Sequence, residues 1–128
     1  MDELQRSIYV ERFQLAFHKL KGAAFQDWFV RLAGYAFGPD FEEVRPYGRH
    51  GDLKCDGRRI SSGSVFQCYA PDAMKEVDLI AKVDADFHGA RAHWGGNMQE
   101  WVFVHNDGRG LPPNAVQYLD RLRQAHAP

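Results

Sequence analysis

The chain has 128 residues, with 16 basic and 17 acidic side chains and a formal charge of −1. That length suits one domain around a single core, and the balanced charge argues against the broad basic surface of a general nucleic-acid binder, though a local basic patch stays open. No apolar run approaches the roughly 20 residues that span a bilayer, and the charged start Met-Asp-Glu-Leu-Gln-Arg lacks a signal-peptide core, so a cytoplasmic protein with no membrane contact is expected.

Residues 3–20 place Leu4, Ile8, Phe13, Phe17 and Leu20 at helical spacing, with an interruption expected near Tyr9-Val10. After Gly22, residues 23–37 carry a broader apolar stripe of Phe25, Trp28, Phe29, Leu32 and Ala36. Gly38-Pro39-Asp40 ends that helix. A strand is expected at 41–47, on an edge because of Pro46. A polar turn with Arg49 and His50 leads to a strand at 52–56, a loop at 57–63 and a strand at 64–69. Asp72 is read as the cap of a helix running to about residue 87, followed by a Gly-rich loop at 89–96 that exposes Trp94 as a contact residue. Trp101-Val102-Phe103-Val104 reads as a central strand buried on both faces. His105-Asn106-Asp107-Gly108 reads as a turn whose side chains bond local backbone. A last helix at 114–124 turns Val116, Leu119 and Leu122 inward. The order gives an α/β fold with a mixed central sheet of about four strands flanked by helices.

The hairpin concentrates the chemistry. Side chains alternate along a strand, so Leu53 and Cys55 should face the core with Phe66, Cys68 and Ala70. Asp52, Lys54 and Asp56 then share the opposite, outward face with Gln67 and Tyr69. Two carboxylates, an ammonium and an amide gathered there are unusual for a purely structural sheet. Cys55 and Cys68 are expected as buried thiols without a disulfide, and no Cys/His spacing matches a zinc site. Arg45, Arg49, Arg58 and Arg59 flank the hairpin, either gripping phosphates or simply solvated. His50 beside Asp52 is a base or an ordinary turn residue. No nucleophile elbow surrounds Ser61 or Ser62.

Residues 23–105, through Gly51-Asp52, Asp56-Gly57 and Gln67-Cys68-Tyr69, resemble the PD-(D/E)XK, or restriction-endonuclease-like, fold of the Mrr type. The resemblance implies Mg²⁺ held by Asp52, Asp56 and Gln67, with a further acid or amide from Gln26 or Asp27, and DNA phosphodiester cleavage. It also implies a lysine where this chain has Tyr69, so Lys54 or Tyr69 would act as the phosphate-side donor. A phenol with a pKa near 10 is a neutral donor at pH 7 and not a fixed charge. The wider pattern, with Phe25-Gln26-Asp27-Trp28-Phe29, Val44-Arg45-Pro46-Tyr47-Gly48 and Gln67…Tyr69-Ala70-Pro71, resembles domains of bacterial ABC-three-component antiviral defence proteins. There the domain opens a longer chain, so residues 1–128 are expected to be one domain at the N-terminal end of a larger protein, with an independent small protein as the alternative. The implied partners are DNA, other subunits of a defence complex or a second copy of the chain. The rival reading is a catalytically degenerate module with the nuclease shape, serving protein–protein interaction or nucleic-acid binding.

Overall fold

A computed structural model describes residues 2–44 and 55–126. The first helix, α1 (Glu3–Lys19), runs without interruption through Tyr9-Val10. Its start is set by a capping box. The Gln5 amide N–H donates to Asp2 Oδ1 at 2.7 Å, and the Asp2 N–H donates to Gln5 Oε1 at 3.1 Å. The second helix, α2 (Gly22–Phe37), stops at Gly38, whose φ of 58° a residue with a Cβ adopts only with strain.

Three strands and a crossover follow. Strand β1 (Phe41–Glu43) pairs antiparallel with β2 (Gly57–Arg59), and β2 pairs antiparallel with β3 (Ser64–Tyr69). Helix α3 (Glu76–Trp94) then carries the chain to β4 (Glu100–His105), which lies parallel to β3. Helix α4 (Pro113–Ala125) closes the described chain. Among the described residues the sheet order is β1-β2-β3-β4. The expected α/β architecture, a mixed four-stranded sheet flanked by helices, is the architecture observed.

Both faces of β3 are covered. On one, Phe66 meets Phe29, Phe37 and Phe41, with ring centroids 5.5 to 6.3 Å away. On the other, Val65 packs with Val44, Cys55 and Ala90, and beyond it Leu79, Val83 and Ala115 gather Tyr69, Phe103 and Leu119. A parallel pair of strands needs a long connection, and here α3 returns across the sheet and buries that second face.

Several expected boundaries shift. A strand lies at 57–59, within the expected loop; Cys55 and Asp56, the described end of the strand expected at 52–56, form a bend just ahead of it, while residues 45–54 lie outside the described part. Helix α3 is capped at Lys75 and not Asp72, and it continues through the expected loop to Trp94. Trp94 therefore packs on the Val44–Cys55–Val65–Ala90 cluster and is no free contact residue. Among the described residues strand β4 is the last of the sheet, and Trp101 to His105 are half-buried, so the apolar run does not mark a central, fully buried position. In α4 the inward positions are Ala115, Leu119 and Leu122, while Val116 is 42% exposed.

Candidate functional site

Asp56 sits where the chain enters β2. Its backbone is already in the ladder: its N–H donates to Phe66 O at 2.9 Å, and its carbonyl accepts from Val44 N at 3.1 Å. Its side chain turns across to β3. Oδ2 accepts the Cys68 N–H at 2.6 Å and lies 3.5 Å from the Gln67 amide nitrogen, Nε2. The next donor along β3 thus meets a carboxylate instead of a backbone carbonyl. A buried backbone N–H left alone is costly, and this bond satisfies it.

Asp56 and Gln67 are 4% and 3% exposed. They meet as the sequence implied, where the chain enters β2 alongside β3, but within the molecule and not on an outward face. The reason lies in the cover. Gln67 shares its side of β3 with Val65 and Tyr69, and that side carries the clusters beneath α3. Cys55 packs with Val65, so it does not share a face with Phe66 as alternation from residue 53 suggested. The bend at 55–56 breaks the period-two phase on which that expectation rested.

The Gln67 carbonyl oxygen, Oε1, is buried with no hydrogen-bond donor among the described residues. Buried polar atoms are almost always partnered, so this one stands out. Beside a carboxylate, an amide carbonyl is the kind of oxygen that a hard cation such as Mg²⁺ takes. The pair fits part of such a donor set. Among the described residues no group of three His, Cys, Asp or Glu side chains is placed to hold a metal. Asp52 and Lys54, with Arg45, Arg49 and His50, lie outside the described residues.

The other expected site residues are dispersed. Tyr69 is half-buried, its ring 6.0 Å from Phe103 in the α3–α4 cluster. Arg58 and Arg59 point to opposite faces of β2. Arg58 lies 4.8 Å over the Trp94 ring and 3.5 Å from Glu42, while Arg59 lies 4.5 Å over Phe37 and 2.9 Å from Asp40. Both guanidinium groups thus serve local packing. Asp40 also accepts from the Ser61 N–H at 2.8 Å and from its hydroxyl, fixing the turn between β2 and β3. Ser62 and Ser64 bond each other at 2.7 Å. Gln26 is half-buried on α2.

Cys55 and Cys68 are free thiols. Burial pushes the Cys68 thiol well above its ordinary pKa, and the Asp56 carboxylate beside it adds to the rise. At His105, burial lowers the imidazole pKa against the pull of Asp107. The turn after β4 behaves as expected at two residues: His105 Nδ1 accepts the Asp107 N–H, and Asp107 Oδ1 accepts the Arg109 N–H. Asn106 does something else. It is 3% exposed, donates to the carbonyls of Phe17 and Leu20 at 2.8 and 2.6 Å, and accepts from Lys21 Nζ at 3.3 Å. It satisfies orphan carbonyls at the end of α1 and ties that helix to the sheet. A lone Asn after a strand carries no sequence signal for that role.

No family model, curated protein or solved structure matches the chain. The class that the geometry defines is an α/β domain with a buried carboxylate–amide pair at the junction of two antiparallel strands. No helix among the described residues is long and apolar enough to cross a membrane.

Proposed function

We propose that this chain is a restriction-endonuclease-like domain of a bacterial defence or mobile-element protein, and that it cleaves DNA phosphodiesters with Mg²⁺ through an atypical site. The observation that carries the reading is the meeting of Asp56, at the entry to β2, with Gln67 on β3, with the Gln67 carbonyl oxygen buried and unpartnered among the described residues. The succession of a helix, three strands, a helix and a parallel fourth strand supports it.

Asp56 and Gln67, joined by Asp52, would hold the ion. Bound there, Mg²⁺ would polarise the phosphate and lower the pKa of an attacking water. Lys54 or Tyr69 would donate to the charge that develops on the phosphoryl oxygens. The Cys68 N–H bond to Asp56 holds the carboxylate in place and keeps it from rotating away from Gln67.

The test is nicking of supercoiled plasmid with Mg²⁺ or Mn²⁺, alongside calorimetric Mn²⁺ binding. Asp56→Asn keeps an acceptor for the Cys68 N–H, so it separates chemistry from folding. Nicking and Mn²⁺ binding should both fall at least about tenfold in Asp56→Asn and in Gln67→Leu. Equal nicking by all three proteins would assign the activity to a contaminant and end the proposal.

A second reading, an interaction module that keeps the shape without the reaction, is favoured by a different observation. Helix α1 buries no residue; Leu4 is 71%, Tyr9 57% and Leu15 66% exposed, and on α2 Tyr35 is 84% exposed. So much apolar surface marks an interaction site. A mass that rises with concentration in Asp56→Asn as in the parent, without Mn²⁺ binding in either, would support this reading over the first.

A further inference from the structure

We draw no further inference here: the strongest candidate, the apolar groove alongside β4 between the ends of α3 and α4, carries nothing, because Asp120 and Glu100 offset the charges of Arg91 and Arg123 and nothing in the structure shows what covers it.

Discussion

Asp56 connects three properties: it satisfies a backbone donor, it positions an amide, and it raises the pKa of a neighbouring thiol. The last is open to direct measurement. With Cys68 held protonated by burial and by the carboxylate, native protein should react slowly with iodoacetamide at pH 8. Removing the charge in Asp56→Asn should speed alkylation of Cys68 by roughly 3- to 10-fold, read by mass spectrometry of the labelled peptide, because one cause of the shift is gone. An unchanged rate would mean that Asp56 does not bear on the thiol. His105 gives a second handle. Its folded pKa is depressed below the ordinary imidazole value, so the unfolded chain binds the proton more readily. Its contribution to stability is therefore full above the ordinary value and declines as pH falls through it towards the folded value. Compared with His105→Gln, the parent should lose more melting temperature between about pH 7.5 and pH 5.5. A parallel decline in both proteins would sink the assignment.

Helix α3 decides which side of the sheet is dry. It contributes Leu79, Val83 and Ala90, all 2% exposed or less, and these bind the two clusters on the Gln67 side together. Leu79→Ala leaves a cavity at the centre of one cluster and should destabilise by about 2–5 kcal/mol, measured by urea denaturation. The contact between β1 and β2 is tighter still. At Gly57 a Cβ would run into the Phe41 ring and approach Glu42 O at 3.2 Å. Gly57→Ala should therefore cost about 1–3 kcal/mol by overpacking, and a wild-type denaturation midpoint would show that Phe41 yields freely.

The molecule is unevenly secured. Residues in β3 are held by strands on both sides and by helices on both faces. Helix α1 buries nothing and is held mainly at its end, where Asn106 bonds Phe17 and Leu20 and the Phe13 and Phe17 rings lie 5.2 and 6.1 Å from Trp28. Local opening follows few buried contacts. Amides of Leu4 to Tyr9 should exchange with solvent far sooner than those of Val65 to Cys68, with the order read by hydrogen exchange. Equal protection would mean that a partner, such as a second copy, covers α1 in solution.

Much of this was open to sequence reading because it is local. The stripe from Phe25 to Phe29, the break at Gly38-Pro39 and the β-branched and aromatic run at 64–69 each depend on neighbours in the chain, and α2 and β3 appear where they were expected. The pairing of Asp56 with Gln67 was also legible, since it needs only two antiparallel strands joined by a turn. What the sequence could not state was which surfaces are covered. Trp94, Gln67 and the run 101–104 carry the same local pattern whether a helix lies over them or not. Their burial follows from where α3 and α4 come to rest, which is set by contacts between residues far apart in the chain.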